Sequence, residues 1–174
     1  MASVIHSTLY TAGYRDSVTD KRLPPELFYG SLPEEATVVD IRSHPYSPFA
    51  PDYTGSGVLA AVGRWKPGVK EFIHLRALGN THREGTGKRR TPPVYVDEER
   101  GFAELEALLR ERRAVVIFCA CSTLTFGDPR YRCHRFFVAD EMDRRLRGLT
   151  ITHLRITAVE DPNQGMSINT APGG

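Results

Sequence analysis

Apolar residues gather in short, nearly continuous runs: Thr8 to Ala12, Thr37 to Ile41, Phe72 to Leu75 and Ala114 to Cys119, with a weaker fifth at Ile151 to Ile156. Runs of this length, rich in β-branched residues, predict strands that are covered on both faces. Between them the period changes to a helical one. Phe102, Leu105, Leu108 and Leu109 make a stripe that predicts a helix from Asp97 to Arg112. Acidic residues at its start and arginines at its end follow the order that the helix dipole favours. Val138, Met142 and Leu146 predict a second helix over Cys133 to Arg147, with Gly148 placed to end it. Shorter helices are expected at Pro25 to Leu32 and Gly57 to Val62. Strand and helix therefore alternate, which predicts an α/β domain of three layers: a mainly parallel central sheet with helices on both faces.

Two stretches carry no period, Arg42 to Gly57 and Gly79 to Pro93, and both follow strands. In open α/β sheets the ligand crevice lies beyond the carboxyl ends of the strands, so these loops are candidate walls of a site. The 174 residues, 40% of them apolar, are enough for one buried core. A single domain over residues 1–160 is expected, with a flexible tail over 161–174.

Charge adds little. With 23 basic and 21 acidic residues the net charge is +2, short of the footprint of a dedicated nucleic-acid binder. No apolar run approaches the ~20 residues of a membrane span, and no export signal is evident at the N-terminus. Three cysteines are too few for a disulfide framework, so they read as thiols in a reducing compartment, and a cytoplasmic location is expected.

All three cysteines fall in one region. The strand ending at Phe118 runs into Cys119-Ala120-Cys121, and after a loop the chain reaches Cys133-His134-Arg135 at an expected helix start. A thiol in the first helical turn feels the partial positive charge of free backbone amides, and neighbouring Arg132, His134 and Arg135 further favour the thiolate. Cys133 is thus the candidate nucleophile, and the same amides with Arg135 make a candidate anion site. Asp128-Pro129 is also a good cap and first-turn pair, and a helix starting there would bury Cys133 deeper in it.

Metal binding is the rival use: Cys119, Cys121, Cys133 and His134 offer four zinc ligands, but the spacing lacks the usual two-to-four-residue knuckle. No cofactor is therefore expected, with zinc on these four residues kept as the minority alternative.

Asp40 and Arg42 leave the second strand two residues apart and so on the same face. They either pair with each other or serve a ligand, Asp40 as proton acceptor and Arg42 as anion clamp. Gly13-Tyr14 follows the first strand as a close-approach turn. The basic run Thr81 to Arg90 suggests a solvated loop or a phosphate lid, but lacks the glycine and hydroxyl positions of a P-loop. His74 and His153 read as ordinary surface or packed histidines, whereas His44 adjoins the Arg42-Ser43 run.

The segments YTAGY at 10–14, VVDIRSHPYSPFAP at 38–51, LRALGN at 75–80, IFCAC at 117–121 and YRCHRFFVADEM at 131–142 together resemble the bacterial domain of unknown function number 488. The resemblance covers about Leu9 to Arg155. It implies motif positions at Gly13, Tyr14, Asp40, Arg42, Ser43, Pro45, Leu78, Gly79, Cys119, Cys133, His134 and Arg135, outlining a pocket in a Rossmann-like or rhodanese-like domain. Many members resemble Cys-x-Glu where this chain has Cys119-Ala120-Cys121, so an acid-base role at residue 121 is lost or changed. The family brings no established reaction.

The expectation is a thiol-dependent transferase or hydrolase that binds a small anionic, phosphate-bearing or nucleotide-like molecule. Its catalytic residues would be Cys133, Asp40, His134 and Cys119, and its ligand-binding residues Arg42, Ser43, Arg135, Gly13, Tyr14 and Gly79. Sulfur or phosphoryl transfer suits the thiolate and glycosidic cleavage suits Asp40; both remain open. The alternative is a non-catalytic metal-binding or redox-switch module with nucleic-acid contacts.

Overall fold

In the computed structural model, residues 5–46, 50–69, 71–82, 92–121, 133–161 and 164–167 are described. Five strands, β1 (Thr8–Gly13), β2 (Thr37–Asp40), β3 (Glu71–His74), β4 (Ala114–Cys119) and β5 (Thr150–His153), form one sheet in the order β3-β2-β4-β1-β5. All four pairings are parallel. The helices are α1 (Pro25–Gly30), α2 (Gly55–Trp65), α3 (Glu98–Glu111) and α4 (His134–Arg145), with single 3₁₀ turns at Pro51–Tyr53 and Arg76–Leu78.

The central strand β4 shows why its sequence is apolar throughout. Val115, Ile117 and Cys119 face one core with Phe102, Leu105 and Leu109 of α3 and Phe136, Val138 and Met142 of α4. Val116 and Phe118 face the other, with Leu27, Phe28 and Tyr29 of α1 and Val58, Ala61 and Val62 of α2. Helices thus cover both faces of the sheet, giving the three-layer α/β arrangement, and a strand buried on both sides has no polar positions to alternate with. Each of the fully buried Phe102, Leu105 and Leu109 side chains contributes roughly 1.5–3 kcal/mol through removal from water.

Helix α3 starts as its sequence predicts, Asp97 accepting a hydrogen bond from the Arg100 amide at 3.2 Å. Helix α2 is longer than the expected 57–62, running from Gly55, just after the 3₁₀ turn at Pro51–Tyr53, to Trp65. Where a flexible tail is expected, β6 (Val159–Asp161) and β7 (Gln164–Ser167) pair antiparallel. These segments carry too few apolar residues for an alternation to be legible.

The register positions the site. Gly13 of β1 lies beside Cys119 of β4, and Asp40 of β2 beside Phe118. The chain leaves β1 and β2 toward the α1–α2 face and leaves β4 toward α4 on the other, so a crevice opens where their carboxyl ends meet. No helix among the described residues is long and apolar enough to cross a membrane.

Candidate functional site

The site is assembled around the end of β4. The extended chain places Cys119 and Cys121 on the same side, and Cys133 lies opposite them as the residue that precedes the first turn of α4 (φ −62°, ψ 141°). Its carbonyl accepts the Phe136 amide at 3.1 Å, so the helix begins at His134 and Cys133 occupies its amino-terminal cap. The competing start at Asp128-Pro129 lies outside the described residues.

The three sulfurs converge within 4.8 Å of one another. Cys119 Sγ is 2.8 Å from Cys133 Sγ and accepts the Cys121 amide at 3.4 Å. All three cysteines are free thiols, Cys119 and Cys133 buried and Cys121 half-buried. Arg135 enters from α4, its Nη1 donating to Cys119 Sγ at 3.1 Å and to the Cys121 carbonyl at 3.0 Å. A glycine at the end of β1 is what admits it: a Cβ on Gly13 would come within 1.9 Å of the Cys121 carbonyl oxygen and 2.9 Å of Arg135 Nη1.

Arg135 has no solvent exposure, and among the described residues its Nε and Nη2 have no hydrogen-bond partner. Among the described residues no carboxylate pairs with it; its neighbours are the sulfurs and the Phe136 ring, whose centroid is 4.5 Å from the guanidinium carbon. Burial works against its charge, yet negative charge on Cys133, Cys119 and Cys121 raises its pKa above the ordinary value. The reciprocal effect falls on Cys133. Burial pushes this thiol up, but hydrogen bonds with Cys119 and Cys121, the Arg135 charge and the Arg135 amide bring it well below the ordinary thiol range. Cys121 moves the other way, raised by its hydrogen bonds with Cys119 and Cys133 and by burial.

His134 is buried beside them. Its Nε2 is 3.1 Å from the Ile41 carbonyl oxygen, which can only accept, so Nε2 carries a proton, and Nδ1 faces Cys133 Sγ at 3.8 Å. The ring is thereby oriented to take the Cys133 proton.

Of the two uses open to Asp40 and Arg42, the ion pair is the one formed. Arg42 Nε lies 2.8 Å and 3.0 Å from the two Asp40 oxygens, Nη2 lies 2.5 Å from Oδ2, and the Arg42 amide donates to Oδ1 at 3.0 Å. Both side chains are buried. Arg42 also lies over the Tyr14 and Phe118 rings, at 5.4 Å and 5.3 Å from their centroids. Its own burial lowers its pKa, but the Asp40 hydrogen bonds and charge outweigh this and raise it. Tyr14, stacked on Tyr53 at 4.2 Å, is raised chiefly by burial.

Above these groups opens a cavity of ≈ 360 Å³ lined by Tyr14, Arg42, His44, Tyr46, Cys119 and Cys121. A wider depression of ≈ 660 Å³ at the opposite edge of the sheet, where Glu34, Glu35, Glu71 and Glu111 meet Arg112 and Arg113, holds no nucleophile, and Arg112 there is 3.4 Å from Glu71. The smaller cavity is therefore the candidate site.

Of the residues singled out in the sequence, Gly13, Tyr14, Arg42, Cys119, Cys133, His134 and Arg135 meet at or directly behind this cavity, with Asp40 holding Arg42 from below. Ser43 and Gly79 do not line it. They pack on each other, a Cβ on Gly79 coming within 2.4 Å of Ser43 Cα, so this glycine serves a close approach of two loops. His74 is exposed, with Nε2 2.8 Å from the Arg42 carbonyl oxygen, and His153 is half-buried, with Nδ1 2.8 Å from the Thr11 hydroxyl. The basic stretch 83–90 lies outside the described residues. The cavity also includes residues not named among the expected ligand contacts: His44, Ala120, Cys121, which an alternating strand would have placed beside Cys119, and the exposed Tyr46, which lies in the loop after β2 expected as a wall of the site.

The three sulfurs are close enough to hold a metal ion, and His134, the expected fourth ligand, is not part of that group. No protein-family model, curated protein or solved structure matches the chain.

Proposed function

We propose that this protein is a thiol-dependent enzyme, a transferase or hydrolase, acting on a small anionic molecule held in the cavity above β4. The observation that carries the reading is the burial of Arg135 among three sulfurs and, among the described residues, no carboxylate. An isolated cation is too costly to hold in such a place without a negative partner, so the cluster retains one thiolate. Its charge is favoured at Cys133, which the cap position and Arg135 stabilise, and is shared through the 2.8 Å contact with Cys119, the sulfur that lines the cavity. Arg42 and Tyr14 on the opposite wall suit an anionic group of the ligand, with Arg42 kept charged by Asp40. In the reaction, a sulfur electron pair forms a bond to the electrophilic atom of the ligand and the leaving group departs with its own bonding pair. Water or a second acceptor then takes the group from sulfur. Membership of the family of domain of unknown function number 488 belongs to the same proposal, supported by the meeting of seven of its motif positions, Gly13, Tyr14, Arg42, Cys119, Cys133, His134 and Arg135, at or behind one cavity, and free thiols fit a cytoplasmic setting.

The test is the pH dependence of alkylation by iodoacetamide. Expected is a reactive thiol whose midpoint lies below the ordinary ~8.5 and which phosphate or sulfate protects; in Cys133→Ser the low midpoint is lost while Cys119 still reacts at higher pH. An ordinary midpoint in the native chain would refute the reading.

A second reading is favoured by the convergence of three sulfurs: a zinc-type ion on Cys119, Cys121 and Cys133, one position open to the cavity. With three thiolates, one divalent cation and Arg135 the charges cancel. Tetrahedral zinc needs sulfurs about 3.8 Å apart, so Cys119 and Cys133 would have to separate. Stoichiometric zinc in freshly purified protein would favour this reading over the first.

A further inference from the structure

The thiolate reading uses one sulfur, whereas the structure brings a second within 2.8 Å of it and keeps both away from solvent. We infer that the cluster performs a two-electron thiol–disulfide exchange with a small, carboxylate-bearing disulfide, in which Cys119 attacks and Cys133 resolves. The inference rests on the proposal that the cluster retains one thiolate, and it assigns both the substrate class and the order of the sulfurs.

The order follows from position. Cys119 lines the cavity and accepts an N–H from Arg135, so its sulfur is both reachable and able to carry charge at the moment of attack. Cys133 does not line the cavity and sits behind it against His134 Nδ1. Cys121 offers its amide to Cys119 and is half-buried at the mouth, a bystander in the bond that forms. Arg42, held charged by Asp40 on the opposite wall, suits a substrate carboxylate.

The steps balance. The proton passes from Cys119 to Cys133 across their 2.8 Å contact; the Cys119 thiolate so formed bonds to one sulfur of the substrate, R–S–S–R, and the other leaves as RS⁻ with the bonding pair. Cys133 gives its proton to His134 Nδ1 and attacks the Cys119 sulfur, expelling the second RS⁻, which takes the proton back. The protein loses two electrons and becomes the Cys119–Cys133 disulfide. The substrate gains them and leaves as RS⁻ and RSH. One negative charge stands on each side of the equation.

The experiment uses the full chain, reduced and held with a chelator, mixed with glutathione disulfide, quenched in acid, alkylated and mapped by peptide mass spectrometry. Expected is one intramolecular bond, Cys119–Cys133, formed in the native chain and still the bond that forms, at whatever rate, in Cys121→Ser. Cys133→Ser should instead accumulate glutathione on Cys119, roughly tenfold above the native level at the same time, because the intramolecular step that clears it is gone. A bond that includes Cys121, an adduct confined to Cys121, or no bond under excess glutathione disulfide would each overturn the inference. Failure here with a depressed alkylation midpoint leaves the thiolate proposal standing. A normal midpoint removes that proposal too.

Discussion

Replacing Arg135 by methionine keeps much of the side-chain volume and removes one buried positive charge together with two donors that have no partner. The guanidinium lies 3.1 Å from the Cys119 sulfur at its nearest nitrogen, with its charge centred further away. At a separation of about 4 Å and an effective dielectric near 20, a unit charge is worth ~4 kcal/mol as an upper figure. Water penetration and relaxation reduce that to about half, or ~1.5 pH units on the thiol. Arg135→Met should therefore move the alkylation midpoint of the cluster upward by between one and two units, read in parallel by thiolate absorbance. Thermal stability should change little near neutral pH. The cluster responds by taking up a proton, and the loss of two unsatisfied donors offsets the lost attraction. The pairing of a large shift in acidity with a small shift in melting temperature identifies the arginine as counter-charge to sulfur. A midpoint that stays within a few tenths of a unit, or falls, would refute the reasoning.

Three further outcomes are expected. Gly13→Ala forces a Cβ into the Cys121 carbonyl and should cost about 1–3 kcal/mol by chemical denaturation, whereas Gly30→Ala, with nothing within 4 Å of the added carbon, should be neutral or stabilising. Asp40→Asn leaves the buried Arg42 charge uncompensated and should cost roughly 3–5 kcal/mol, visible as a lower denaturation midpoint; a cost below 1 kcal/mol would show the pair to be well hydrated. Stability should also follow pH in two senses. The lowered thiol of Cys133 contributes stability that is fully present above the unfolded value of about 8.5 and is lost as pH falls through the folded value. The raised thiol of Cys121 contributes stability that is lost above about 8.5, where the unfolded chain ionises and the folded one does not. Denaturation across pH 6 to 10 should therefore peak near the ordinary thiol value, and the peak should flatten in Cys133→Ser.

The sequence made some of this legible, for identifiable reasons. β4 was readable to the residue because burial on both faces left it uniformly apolar, and α3 because its cap, stripe and end charges agree. β5, at the sheet edge and only half-buried, carries the weaker pattern that its exposure allows. The proximity of Cys119 to Cys133 was suggested by a strand end and a helix start in succession. Arg135 was legible as a neighbour that favours the Cys133 thiolate and as an anion clamp, but its complete burial was not. What makes it a buried counter-ion is the register that puts side-chain-free Gly13 next to Cys119, a tertiary fact with no local signature. Asp40 and Arg42 were visible as a same-face pair, but strand period alone does not choose between an ion pair and a ligand clamp.

The slot over Gly13 also has a temporal meaning. It needs the first strand, the fourth strand and the last large helix at once, segments separated by most of the chain, and such long-range closures come late in folding. Until α4 docks, the three thiols behave as ordinary ones. Their acidity, followed by rapid-mixing alkylation during refolding, would then serve as a clock for the final assembly step.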